Sequence, residues 1–353
     1  MKLFRKYKVF WNTINFFEYF RFLFRGSDKR FFTILTKHFK TKNITFTSSA
    51  RGAIQVALTV LKIRRNDRVF IPPFLSSCVV DCITSVGTPS LDYTLNTKAI
   101  LLYHHWGFMQ NIYEIKKRII NNDIFIIEDC AHIFWGKLGE YEPGDFGDFA
   151  TFSLSKIFKI TYCGLLKINR IDLQEEVNAI LSRKINPFEY LEHIKGDLTY
   201  LGYYSKSIKK RESYYEALKL AKWYAYLLAS PRFKNVKGDM PQNLNNLGNI
   251  FKDMHNKFIF LLGKVNNKEF ILDKDVIEEM APLCFPYISE DIELLNEIKI
   301  WLEKNDIFVN IYNFDVNRNM LNPSYKRCIP LPLYKGIDLE IYKNFFKNFP
   351  TEN

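Results

Sequence analysis

Three groups of residues in the first half of this 353-residue chain have the types and spacing that chemistry on a small molecule requires. Glu128 and Asp129 close the apolar run IFIIED, and His132 follows at once in the segment CAH. Lys156, Lys159 and Lys167 come soon after a second apolar run, FATFS, which ends in Ser153. Arg51 and Gly52 open a helical pattern, where unpaired N–H groups and the helix dipole favour an anion. Together these are the parts of an acid–base site beside an anion-binding turn. Each also has a plainer role. An acid that ends a buried strand often caps a helix or bonds a loop. A histidine there is often a satisfied core residue, and Arg51 alone reads as a solvated helix start.

These residues need rigid elements to hold them. From about residue 50 the sequence alternates apolar runs with helical patterns. AIQVALTVL places Ile54, Ala57, Leu58 and Leu61 on one helical face. DRVFIPP reads as a short buried strand stopped by Pro72 and Pro73, and CVVDCITSVG as a helix stopped at Gly87. AILLYHH, IFIIED, FATFS and GLLKI are further strands. Strands apolar on both faces and separated by helices predict a mainly parallel sheet covered on each side. In such sheets ligands bind where the carboxyl ends of the strands open into loops, which is where His104, Glu128 and Asp129 fall.

Beyond residue 170 the pattern turns to longer helices such as ESYYEALKLAKWYAYLLA. FILDKD, APLCFPYI, DIELLNEIKIWLEKN, IFVNIY and LEIYKNFFKNF then predict a small α+β unit. We place the boundary near residue 255, giving a large unit over 1–254 and a small one over 255–353.

Composition sets the class. Hydrophobic residues are 47% and charged residues 25%, the balance of a folded soluble chain rather than a disordered one. A formal charge of +12 draws phosphorylated or nucleotide-linked molecules, nucleic acid or anionic lipid alike. No arginine-rich stripe, zinc finger or RNA-binding aromatic motif is present, so nucleic acid is not an expected partner. The six cysteines have no metal-type spacing, and Cys78 with Cys82 suits one helix face; no metal is expected, and reduced thiols fit a cytoplasmic protein. The aromatic run over residues 9–24 is broken by Asn12, Asn15, Glu18 and Arg21, too polar and short to span a bilayer. With basic residues around it, it suits an N-terminal helix packed on protein, or a peripheral contact with an anionic membrane surface.

Several segments, in this order, resemble the DegT/DnrJ-type nucleotide-sugar aminotransferases, a branch of the fold type I pyridoxal-phosphate (PLP) enzymes. TSSARGAI resembles their Ser-Gly-Thr or Ser-Gly-Arg helix opening; YHHWGF resembles a His-x-x-Gly segment, with His104 the better match. IIEDCAHIFWG closely resembles the Glu-Asp-x-Ala-His/Gln element, and GDFGDFATFSLSKIFKITYCGLL the segment bearing the lysine. APLCFPYI and CIPLPLY are similar to landmarks of the family's small domain, so the likeness spans most of the chain and is strongest over residues 120–168.

The resemblance implies a fold: a mainly parallel seven-stranded sheet in a large domain, followed by a smaller α+β domain. It also implies roles. Lys156, at the offset from FSL that matches one branch, would hold the cofactor covalently and shuttle protons. Asp129 would keep the pyridine nitrogen protonated, and His132 would support the ring or that carboxylate. Arg51, Gly52 and Ser153 would bind the phosphate. The implied reaction moves an amino group from an amino acid, glutamate, to a keto-sugar on a nucleotide. A homodimer in the cytoplasm is implied as well. Three departures bear on turnover. Ala50 and Arg51 replace a glycine and a threonine, Ser76 falls where a ring-stacking aromatic is common, and KITYCGLL has one glycine where two are usual. They leave open a catalytically silent relative that binds partners or membrane. A PLP-dependent sugar dehydratase is a further alternative, but those typically carry histidine in place of the lysine.

Overall fold

Seven strands run side by side in the order β2 (Ile44–Thr47), β9 (Gly164–Ile168), β7 (Phe149–Ser153), β6 (Phe125–Asp129), β5 (Thr97–Tyr103), β3 (Arg68–Phe70) and β4 (Thr88–Ser90). The structure is a computed structural model that describes residues 7–8, 29–119, 123–160, 163–182, 238–265, 280–334 and 336–349. The expected helix over 212–229, the strand FILDKD, the aromatic run over 9–24 and Tyr162 lie outside these residues. β9 is antiparallel to both its neighbours; all other pairings in the sheet are parallel. This is the mainly parallel seven-stranded sheet expected from the sequence.

The strands are apolar on both faces because both faces are covered. Alternate residues of β9 serve opposite layers: Leu165 joins one core cluster, while Leu166 and Ile168 join another. The second cluster is built on helix α2 (Ala50–Val60), whose Ala53, Ile54, Val56, Ala57, Leu58 and Val60 are all buried. The helix begins three residues before the apolar pattern AIQVALTVL, because Ser49 caps it by accepting from the Gly52 amide. Helix α3 (Ser77–Thr84) packs beside α2 and carries Cys78 and Cys82 one turn apart.

The C-terminal unit is an antiparallel sheet of β11 (Cys284–Ile288), β14 (Tyr325–Pro332) and β13 (Tyr312–Asp315), with α8 (Ile292–Lys304) and α9 (Leu339–Asn348). The run IFVNIY, read as one strand, is two: β12 (Ile307–Phe308) and the start of β13. β12 pairs in parallel with the short β1 (Tyr7–Lys8). One helix, α7 (Leu244–Leu262), runs through residue 255 without a break. Its Leu247, Phe251 and Met254 lie in a core under the large sheet, and Phe258 and Leu261 lie in the core of the C-terminal unit.

Candidate active site

Parallel registration of β5, β6 and β7 brings Tyr103, Asp129 and Thr151 to one level at the carboxyl end of the sheet. Side chains alternate along a strand, so Glu128 and Asp129 point to opposite faces. Glu128 is fully buried. Its Oε1 accepts from the Phe146 and Gly147 amides at 2.6 and 2.7 Å, and its Oε2 from the Gly144 amide at 3.1 Å. Oε2 also lies 3.0 Å from His104 Nε2. His104 Nδ1 accepts from the Gln110 amide at 3.1 Å, so the single ring proton sits on Nε2 and is donated to Glu128. His104, Glu128 and Cys130 have the proximity of a metal site, but both ring nitrogens of His104 are already engaged. The histidine at the end of AILLYHH is therefore a structural link to Glu128.

Asp129 has a different setting. It is also buried, and its Oδ1 accepts from the Ala131 amide at 3.0 Å. Burial pushes its carboxyl up from the usual range, opposed chiefly by the charge of Lys156. Lys156 lies in α5 (Leu154–Ile157), the short helix that follows β7 directly, with Ser153 at its start. Burial pushes the Lys156 amine down to about 8, with Asp129 pulling the other way. Its Nζ lies 2.6 Å from His132 Nε2, and His132 Nδ1 lies 2.9 Å from the Tyr103 hydroxyl. Burial, then the charge of Lys156, holds His132 far below the usual imidazole range, so the ring is neutral. Burial and Asp129 hold the Tyr103 phenol above its usual range, so it keeps its proton.

The other lysines are differently placed. Lys167 points away, its buried side chain paired with the exposed carboxylate of Asp145 and its Nζ 5.9 Å from the ring centre of Phe39. Lys159 lies in the two-residue strand β8 (Lys159–Ile160), whose backbone pairs with β10 (Gly238–Asp239).

The turn into α2 closes the site on another side. The charge of Arg51 acts on Lys156, while its carbonyl accepts from Cys82 Sγ. The Gly52 amide is engaged by the Ser49 cap, so an anion at this helix start would share or displace that bond. β9 begins against the same turn: a Cβ on Gly164 would lie 2.2 Å from the Ser49 carbonyl carbon and 2.5 Å from the Ala50 nitrogen. Only glycine allows this approach, which explains the one glycine of KITYCGLL.

Over the site, Ser76 Oγ lies 3.1 Å from Cys78 Sγ, and Cys78 is close enough to act on Lys156. Phe74 does not replace the missing aromatic. It is 59% exposed at φ 60° and packs edge-on against Tyr325 of β14, whose hydroxyl donates to the Pro73 carbonyl. Trp106 is core, stacked on Phe314 with centroids 5.4 Å apart. Three residues near Lys156 or Asp129 escaped the sequence reading: Tyr103, Cys78 and Cys284, the last from the C-terminal unit. Tyr103 had one available signal, its place beside Asp129 once two strands are paired in parallel.

The donor set fits PLP. An aldehyde needs an amine that is easily made neutral, which Lys156 offers; a pyridinium needs a buried carboxylate, which Asp129 offers. A phosphate needs N–H donors and a nearby cation, which the start of α2 offers beside Arg51, where β9 packs against the turn through Gly164.

Comparison with known proteins agrees. A family model for PLP-dependent aminotransferases matches residues 28–350. GDP-perosamine synthase of Vibrio cholerae is 27% identical over 142 residues, a stretch that is 35% of this chain and 39% of that protein. Among solved structures, the aminotransferase TlmJ from Streptoalloteichus hindustanus matches with a TM-score of 0.64 and 11% identity over 96% of both chains. A DegT DnrJ EryC1 StrS aminotransferase from Brucella abortus matches with a TM-score of 0.58 and 14% identity over 91% of both chains. At these identities the structural likeness shows the fold alone.

Proposed function

This chain belongs to the family of PLP-dependent aminotransferases, and from that premise we propose that it moves an amino group from glutamate to a keto-sugar carried on a nucleotide. The observation that carries the reading is the buried Lys156 amine, 2.6 Å from neutral His132 and under the charge of Asp129. The matched part of the perosamine synthase supports a sugar as acceptor, and the formal charge of +12 suits an acceptor bearing a diphosphate.

When bound, the cofactor supplies an electron sink for the carbon that loses or gains the amine. In this reading Lys156 would hold the cofactor and would serve as the base that moves a proton at its Nζ. Asp129, poised between burial and the attraction of Lys156, would keep the ring nitrogen protonated. His132 orients Lys156. Arg51, Gly52 and Ser153 would hold the phosphate. The division into units of 1–254 and 255–353 belongs to the same reading, supported by the two cores that meet along α7.

The family also supports a homodimer working in the cytoplasm. Among the described residues no helix is long and apolar enough to cross a membrane. A peripheral membrane contact would fall to residues 9–24.

The test is an absorption spectrum with added PLP, before and after borohydride, for wild type and Lys156→Ala. The expected result is a visible band that reduction fixes on Lys156 and that glutamate bleaches, both absent from the variant. A band in the wild type that survives loss of Lys156 overturns the assignment. A band that glutamate leaves unchanged favours the silent relative, for which Ser76 in place of a stacking ring is the motive.

A further inference from the structure

Among the described residues, the Tyr103 hydroxyl is a buried polar group at the site to which the mechanism gives no task. It lies 2.9 Å from His132 Nδ1, on the opposite side of the ring from Lys156 Nζ, which is 2.6 Å from Nε2. The Trp106 backbone amide hydrogen-bonds to the same hydroxyl. The amide fills one of the oxygen's two acceptor sites, and among the described residues His132 Nδ1 is the acceptor that lies within reach of the hydroxyl proton. A nitrogen that accepts cannot carry the proton of a neutral imidazole, so that proton goes to Nε2. From Nε2 it faces Lys156 Nζ and needs a lone pair there, which only the free amine has.

We propose that Tyr103 is a positioning residue which, by donating to His132 Nδ1, directs the His132 Nε2 proton at Lys156 and so favours the free amine that takes up the cofactor. Burial acts in the same direction on all three groups: Lys156 toward the amine, His132 toward the neutral ring, Tyr103 toward the protonated phenol. The other groups that face them are Asp129, Arg51, Cys78 and Cys284 around Lys156, His105 beside His132, and Asp129, Cys284 and Tyr325 around Tyr103. Asp129 opposes the device by drawing a proton onto Lys156, and Arg51 assists it.

The inference rests on Lys156 as the cofactor-holding amine, so it is tested on the full chain before PLP is added. Acylation of Lys156 by a neutral amine reagent, followed by peptide mass spectrometry across pH 6–11, gives the midpoint at which the free amine forms. Tyr103→Phe is expected to raise that midpoint by about one pH unit, a tenfold loss of free amine near pH 8. In the wild type at pH 9, where the amine prevails, ¹⁵N spectra of His132 are expected to show the Nε2–H form. An unchanged midpoint in Tyr103→Phe overturns the proposal. If that variant fails to fold, an Nδ1–H ring in the wild type at pH 9 overturns it alone. Neither readout depends on turnover, so failure here is distinct from failure of the aminotransferase reading.

Discussion

Glu128 and Asp129 are neighbours in one strand, equally buried, and they do opposite things. Glu128 accepts from three backbone amides and from His104, which saturates its two oxygens with fixed partners. Asp129 accepts from one amide, Ala131, and faces the nearby charge of Lys156. A saturated carboxylate is a fastener: it joins β6 to β5 and to the loop over residues 144–147. A carboxylate that burial pushes toward its neutral form has interaction energy to give to an incoming cation. The difference lies in how many partners the fold supplies, not in residue type or depth.

The contrast is broken or sharpened by exchanging each acid for its amide. Asp129→Asn is expected to lower amino transfer by about 10³-fold while leaving the denaturant midpoint unchanged, read by kcat and urea unfolding. Glu128→Gln is expected to do the reverse. Its amide nitrogen meets backbone donors, at a cost of about 3 kcal/mol in unfolding free energy, while kcat of the folded fraction holds within a few-fold. If Glu128→Gln loses activity at full stability, the contrast fails.

Lys156→Met comes next. The amine has an ordinary value of 10.5 in the unfolded chain and about 8 in the fold, so below pH 8 the folded chain must keep an ammonium buried. The variant is expected to gain about 3 kcal/mol at pH 7. Between pH 8 and 10.5 the wild type binds fewer protons folded than unfolded, so its stability rises with pH and the advantage vanishes by about pH 10.5. Urea unfolding at pH 7 and 10.5 checks both sign and window. Smallest is Gly164→Ala, where the added methyl meets the Ser49–Ala50 backbone. A cost of about 1–3 kcal/mol, with weaker PLP binding by titration, is expected.

Much of this was legible in the sequence, and the reasons are physical. The runs IFIIED, FATFS and GLLKI are apolar on two faces because each strand serves two cores, and their last residues are displayed by the sheet itself. The place of Asp129 at a strand's carboxyl end could therefore be read from sequence, and its nearness to Lys156 follows from the sheet. The task of Glu128 could not. Its amide partners lie 16 to 19 residues downstream in a loop, and backbone donors leave no mark on residue type. Tyr103 ends an apolar run as any core aromatic does; only its register with Asp129 and its distance to His132 separate it from the core. The break between β12 and β13 was hidden because IFVNIY is apolar enough for one strand. The apolar period of α7 continues across residue 255, as a helix serving two cores demands.

That helix has a consequence for how the molecule comes apart. Met254 and Phe258 are one turn apart on a single rod, yet each belongs to a different core. Loosening either core frays the helix that the other needs, so the two cores are expected to melt together. Calorimetry would record a single peak with equal van't Hoff and calorimetric enthalpies, and a protease cut within α7 would split it in two.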